Sequence, residues 1–347
     1  MTTLKTLLAG SIALLSAAPL ATLAQARYTP TTLPSDFAPQ AINNRGQIVG
    51  TAQATAAVFD ARGTVVLPIP SSTGRNINDR GDVVGQLTPP GTFGPSGRHG
   101  FAYREDRLID LQPALPERFV GSQGMDINNA GVIAGVALPE VGESYRGFVY
   151  YKGRVQIIPT LGGDWSWATA INAQGVVAGY AAYEGGPALN EHHRAFLFHN
   201  GSMQDLGTFG GINSEAYDIN NRGQVVGLAD NAAGVFHPFL YEHGRMNDLG
   251  TLGGNFASAQ AINDAGIIVG QSDTANDPLS HAFVYAHHRM FDLDRLVALP
   301  PGWHLLAAQD INDAGQILAR ACMRVPSEPA ACHTGQWLRL DPVEREH

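Results

Sequence analysis

A phrase of Ile-Asn, two variable residues and Gly, then a short apolar run usually closed by another Gly, returns seven times along this chain of 347 residues. The copies begin at Ile42, Ile77, Ile127, Ile171, Ile219, Ile262 and Ile311, at spacings of 35, 50, 44, 48, 43 and 49 residues. A period of this size belongs to repeat architectures, in which one supersecondary unit cannot bury its apolar face alone and stacks on copies of itself. A closed array of such units also explains how one domain exceeds the length that a single core usually serves.

The best-formed copy is SEAYDINNRGQVVGLA, residues 214–229. Apolar residues alternate toward Ile219, Asn220-Asn221-Arg222-Gly223 interrupts, and the apolar pattern resumes at Val225 and Val226, which is the pattern of a hairpin. Asn at the first turn position bonds the backbone two residues on, and Gly at the last takes a positive φ that other side chains resist. The pair recurs in every copy, from Asn43 and Gly46 to Asn312 and Gly315, and reads as turn chemistry and not as a ligand set. A second hairpin follows a loop of variable length. Its first strand carries an aromatic residue (Phe59, Phe101, Phe148, Phe196, Phe239, Phe283 and Trp337), and its turn is tight, as in Glu242-His243-Gly244-Arg245. Two hairpins per unit, seven units and no convincing helix after residue 26 predict an all-β fold, a seven-bladed β-propeller of four-stranded antiparallel blades.

The ends fit a ring. Residues 27–43 resemble residues 245–263, so Tyr28 to Leu33 reads as an orphan fourth strand, while the seventh unit stops after its third strand, near Trp337 to Leu340. The N-terminal strand (28–33) is expected to join the C-terminal blade and close the ring, leaving no long bare sheet edges. One domain is expected over 27–341, with 342–347 as a tail. Lys5, the apolar stretch Leu7 to Leu15 and Ala24-Gln25-Ala26 have the layout of a signal peptide over residues 1–26; cleavage near Ala26 and export to a periplasm or the cell exterior are expected. No later stretch approaches the ~20 apolar residues of a spanning helix. The formal charge is −9, or −10 without Lys5, which argues against nucleic acid and anionic membrane surfaces as partners. Cys322 and Cys332 flank a Pro-containing loop, and in an exported chain they predict a disulfide, since zinc normally takes four ligands.

The phrases DLGTLGG at 248–254, SHAFVY at 280–285 and DIN followed by Gly resemble the extracellular repeat proteins called HAF for their His-Ala-Phe triplet. The resemblance covers essentially everything after residue 26. It implies an exported repeat protein and carries over no catalytic or binding residue, because that family has no established common activity. Most copies depart from the triplet, with Gly100-Phe101, Gly147-Phe148 and Pro238-Phe239 in place of Ala-Phe.

In such blades the first-to-second and third-to-fourth connections share one side of the disc and are tight turns. The long, variable connections share the other side, where function is expected. Trp165 and Trp167 in GGDWSWA read as a candidate platform for a sugar or aromatic ligand; Trp165 also reads as an inter-blade residue, because Phe37, Phe256 and Trp303 hold similar places. Glu184, Glu191, His192 and His193, with Asp230 and His237 in the next blade, are the residues that break the repeat. Neighbouring residues on a strand point opposite ways and no HExxH spacing occurs, so no metal site is predicted. His99, His237 and His281 stand two residues before the third-strand Phe, where Arg146 and Arg194 stand in other blades. Their periodicity reads as structural pairing, either with Asp110, Asp205, Asp248 and Asp292 or with Asp126, Asp218 and Asp310. No G-x-S-x-G elbow, Walker loop, dinucleotide fingerprint, EF-hand loop or CxxC motif occurs, and neither a cofactor nor a catalytic residue is predicted. The expectation is an exported non-catalytic module that binds a protein or glycan partner through its long-loop face. The alternative is a hydrolase or lyase acting on an extracellular polysaccharide at the channel mouth.

Overall fold

The structure is a computed structural model that describes residues 27–92, 97–140, 144–184, 192–325, 328 and 331–343. The signal-peptide segment and Glu191 lie outside these residues. The described residues form seven sheets of four antiparallel strands, a seven-bladed β-propeller. Short 3-10 turns, Gln112–Ala114 and Leu293–Arg295, sit in two of the connections. Among the described residues no helix is long and apolar enough to cross a membrane.

Blade 5 shows how the repeat folds. Its strands are β18 (Gly210–Ile219), β19 (Val225–Asn231), β20 (Phe236–Glu242) and β21 (Arg245–Asp248), paired in that order. In the first turn Asn220 Oδ1 accepts from the N–H groups of Arg222 and Gln224, both at 3.0 Å, and Gly223 sits at φ +75°. That geometry favours Asn and Gly at this separation. Gly227 of β19 faces Phe239 of β20, and a Cβ on Gly227 would lie 1.9 Å from the Glu215 carbonyl oxygen. The bare glycine thus lets the strands close up beneath the ring. Phe101, Phe148, Phe196, Phe239 and Phe283 all face such a glycine and are fully buried, each stabilising the blade by about 2–3 kcal/mol relative to exposure.

The first and last blades depart from the expected aromatic position. Gly50 faces Ala57, with Phe59 opposite Ile48, and Ala319 faces Leu338, with Trp337 opposite Arg320. Phe59 and Trp337 instead pack on the cluster of Leu33, Phe37, Ile48 and Leu318 at the ring closure.

Closure is made by β1 (Tyr28–Thr32), which pairs antiparallel with β28 (Thr334–Pro342), from Tyr28 opposite Pro342 to Thr32 opposite Leu338. It completes the sheet of β26 (Trp303–Ile311) and β27 (Ile317–Met323). β28 runs to Pro342, which stands in register with Tyr28. Cys322 and Cys332 are disulfide-bonded, with Cα atoms 5.6 Å apart.

Three tiers of hydrogen bonds knit the blades where each first strand ends. In the first, the Asn43 amide Nδ2 donates to the carbonyl oxygen of Asn78 in the next blade at 2.9 Å, and Asn78, Asn128, Asn172, Asn220 and Asn263 each repeat this with the following blade. In the second, carboxylates are shared between blades. Asp126 accepts from Ile127 and Ile171, Asp218 from Ile219 and Ile262, and Asp310 from Ile311 and Ile42; Asn76 serves Ile77 alone. Ala41, Ala170 and Ala261 hold the corresponding place in the blades served from next door. In the third, the side chains of Asp79, Asn129, Asn221, Asp264, Asp313 and Asn44 accept from the backbone N–H of the preceding blade, and Ala173 leaves one gap.

Candidate functional site

The tiers surround a cavity of about 190 Å³ on the tight-turn face, lined by these Asn and Asp side chains. Burial raises all three second-tier carboxyls, Asp126 to about 7, Asp218 to about 6 and Asp310 to about 8; for Asp126 and Asp310 the neighbouring acids of the tier add to it. Both oxygens of each already bind a backbone N–H, so the tier is a structural fastener.

The opposite, long-loop face carries a group that breaks the repeat. Trp165 and Trp167 lie on β14 (Gly162–Ile171), Tyr180 on β15 (Val177–Tyr183), His193 on β16 (His193–His199) and Glu215 and Tyr217 on β18. The Trp165 ring centroid lies 5.8 Å from Tyr180, edge-on, and 5.5 Å from His193, while Tyr180 and His193 are 5.3 Å apart. His193 Nε2 and Glu215 Oε1 are 2.8 Å apart, and Tyr217 donates to Glu215 Oε2 at 2.7 Å. Trp167 meets Tyr145 edge-on at 5.7 Å, and Tyr145 is 47% exposed. Trp167 and Tyr180 are register partners, so the Tyr145–Trp167 pair and the Trp165–Tyr180–His193 group stand on adjoining strands and together make an aromatic band from blade 3 to blade 5. Elsewhere the place of Trp167 holds Ala38, Thr73, Gln123, Glu215, Ser258 and Ala307, and that of Tyr180 holds Thr51, Gln86, Val136, Leu228, Gln271 and Arg320.

Electrostatics fix the ionisation of the group. Burial pushes the Glu215 carboxyl up, but the His193 and Tyr217 hydrogen bonds and the His193 charge outweigh it and hold the carboxyl below its ordinary range. Burial, then the Glu215 charge, pushes the Tyr180 and Tyr217 phenols up, so both stay neutral donors. One ionised carboxylate, two neutral phenols and two half-buried indoles are suited to stacking and hydrogen bonding on a polar ring.

Of the residues singled out in the sequence, the structure brings Trp165 and His193 together, and Trp167 packs on Tyr145 beside them. His192 is half-buried and its Nδ1 has no hydrogen-bond partner among the described residues. Asp230 is buried and its Oδ1 accepts from the Asn213 N–H at 2.8 Å. His237 pairs with Asp248 at 2.8 Å, as His99 does with Asp110 at 2.8 Å, Arg194 with Asp205 at 3.0 Å and His281 with Asp292 at 3.0 Å. The fourth-strand aspartates are therefore the partners of this row, and the second-tier aspartates are not. Tyr145, Tyr180, Glu215 and Tyr217 were not singled out; aligned by the repeat, Tyr180 and Glu215 stand out as odd residues at otherwise unremarkable positions.

A second polar group bridges blades 6 and 7. His281 contacts Asp292 through Nδ1 at 3.0 Å and lies 3.1 Å from Asp277 through Nε2, Arg324 binds Asp277 at 2.7 Å, and His304 binds Asp294 at 3.0 Å. Ligand atoms of His281, Asp292 and Asp294 lie within 4.8 Å of one another, but each is engaged in these pairs or with a backbone N–H. The Asp292 hydrogen bond, with Asp277 adding to it against burial, lifts the His281 imidazole to about 9.

No protein-family model matches the chain, and no curated protein is similar to it at a significant level. Among solved structures it resembles a prolyl endopeptidase at 10% identity and a TM-score of 0.56, over 94% of this chain and 52% of that one. The chain thus spans about half of that enzyme's length. It also resembles the β-propeller domain of the trilobed protease from Pyrococcus furiosus, described as having an open velcro topology, at 11% identity and a TM-score of 0.52, over 74% of this chain and 81% of that one. At such identities the likeness establishes the β-propeller fold and nothing about activity.

Proposed function

We propose that the chain is an exported, non-catalytic β-propeller that binds a glycan on its long-loop face, through the band of Tyr145, Trp167, Trp165 and Tyr180 with His193, Glu215 and Tyr217. One observation carries this reading: the aromatic band is where the repeat is broken, and structural needs common to all blades do not account for it. Flat sugar faces stack on indole and phenol rings, while Glu215, His193 and the phenols supply hydrogen bonds to hydroxyls. The disulfide between Cys322 and Cys332 fits an oxidising compartment outside the cytosol.

The alternative, a glycan hydrolase, has less support. Glycoside cleavage normally needs two carboxyl groups, one of them protonated, flanking the bond. Among the described residues Glu215 is the one carboxylate hydrogen-bonded to side chains of the band, and both of its oxygens are occupied. The test is a glycan-array screen of the mature protein beside its Trp167→Ala and Trp165→Ala variants, each confirmed folded by its melting transition. Capture should weaken at least about tenfold in either variant, as for a buried aromatic anchor. Capture that survives both substitutions undiminished, or a mature protein that retains proteins but no glycan, ends this reading.

A further inference from the structure

In four blades the cation or imidazole two residues before the third-strand Phe meets an aspartate that stands opposite that Phe: Asp110 opposite Phe101, Asp205 opposite Phe196, Asp248 opposite Phe239 and Asp292 opposite Phe283. Blade 3 keeps the cation, Arg146, but places Ile157 opposite Phe148. The base is present there without the matching acid. Arg146 Nη1 donates instead to backbone carbonyl oxygens, of Tyr145 at 3.0 Å and of Asp164, and makes no ion pair with a carboxylate among the described residues.

This orphaned guanidinium adjoins the aromatic band. Tyr145, whose carbonyl it holds, is the exposed partner of Trp167. Arg146 lines a cleft of about 240 Å³ together with Arg118, Phe119, Ser144 and Asp164. Arg118 is exposed, with its guanidinium 4.9 Å above the Phe119 ring. Burial and then the Arg118 charge hold Arg146 below its ordinary range, and Asp164 opposes them. The exposed Asp164 carboxylate makes no hydrogen bond or ion pair with either arginine among the described residues. Two guanidinium groups therefore face one cleft, at the end of an aromatic platform, in the one blade of these five that lacks the matching acid.

We infer that the glycan is anionic: the sugar stacked on Tyr145 and Trp167 carries a carboxylate or sulfate that Arg146 and Arg118 receive. This rests on the proposed glycan-binding reading and narrows it to one ligand class. Arginine suits the task because its planar fork matches a carboxylate or sulfate with paired donors.

The test is calorimetric titration of the mature protein with three matched oligosaccharides: an oligouronate, the same chain with its carboxyls reduced to alcohols, and a sulfated neutral chain. The anionic forms should bind at least about tenfold more tightly than the reduced chain, and the advantage should shrink as salt is raised. Arg146→Gln should remove that advantage. Ile157→Asp should do the same without truncating the arginine, because it restores the pair that four other blades already hold. The uronate and sulfate arms tell the two anions apart. If the reduced chain binds as tightly as both anionic ones, or if both substitutions leave the preference intact, the anionic assignment is overturned while Trp167-dependent capture keeps the glycan reading. If no saccharide binds, both fall together.

Discussion

The amide of Asn312 donates to the carbonyl oxygen of Asn43 at 2.9 Å across 269 residues of sequence, and this bond makes an open row of asparagines into a closed ring of seven. Each member also holds its own turn, so one side chain serves local and global structure at once. Asn172 donates to Asn220 O at 3.2 Å and accepts from Gln174 and Val176 at 3.1 and 3.0 Å. Asn172→Ala leaves buried backbone groups unmatched and should cost about 2–4 kcal/mol in guanidinium denaturation. Asn172→Asp keeps the two acceptor bonds, loses the donor and sets a carboxylate against a carbonyl; it should also be destabilised, and more at pH 8 than at pH 5.

The third tier is broken only at Ala173, which stands between Asn129 and Asn221 and has no side-chain acceptor to offer. Ala173→Asp should complete it, since the same place holds Asp79, Asp264 and Asp313 elsewhere. The position is solvent-exposed, so the expected gain is modest, about 0.5–1 kcal/mol, read as a raised melting temperature. A lower melting temperature would mean that the third tier contributes nothing net.

The half-buried second-tier carboxyls hold their protons more tightly in the folded ring than in the unfolded chain, where they titrate near 4. Folding therefore takes up protons between about pH 4 and pH 8, and these three groups lower stability as pH rises through that window. Asp277 and Glu215 act oppositely: they are held low, and their contribution is lost as pH falls below the ordinary carboxylate range. Stability should peak in weak acid, near pH 5, and decline by at least about 2 kcal/mol by pH 8. Asp310→Asn should flatten the decline, though at pH 5 it should be less stable because the Ile42 N–H loses its acceptor.

His281, raised to about 9 between Asp292 and Asp277, is expected to be an imidazolium at neutral pH. Its contribution should be complete below about pH 6.5 and lost as pH rises through 9. A histidine proton resonance that titrates near 9 in the wild type and vanishes in His281→Gln would establish this; one titrating near 6.5 would refute it. His281→Gln should cost about 1–3 kcal/mol at pH 7, because it strands part of a half-buried charged network between blades 6 and 7.

The fold was legible because turn chemistry and strand alternation are local, and repetition multiplied a weak signal sevenfold. Even the closure could be read, from the missing fourth strand near Trp337 and its surplus copy at Tyr28. The inter-blade bonds were hidden: Asn43 looks complete as a turn residue, and nothing within a single copy shows that its amide has a partner 35 residues on. The site was half visible. Trp165 and His193 announce themselves by type, but Glu215 and Tyr180 matter through neighbours on other strands, and the weight of Ile157 lies in an aspartate that is absent. Asp230 and His237 attracted attention as charged residues near a long loop, where a backbone N–H and Asp248 already account for them.

The sharing of carboxylates between neighbouring blades sets an arithmetic constraint on the ring. A donor module and an acceptor module must alternate, with Asp126, Asp218 and Asp310 lending to the blades of Ala170, Ala261 and Ala41. Seven is odd, so alternation leaves one module over, and Asn76, which serves only its own strand, fills that vacancy without a charge. A six- or eight-membered relative built on the same scheme would have no use for an Asn76. Loss of the Asn76 module alone would leave six modules in strict alternation, whereas loss of any other would strand a lender without a borrower or a borrower without a lender, so such a ring can shorten by one step at a single place.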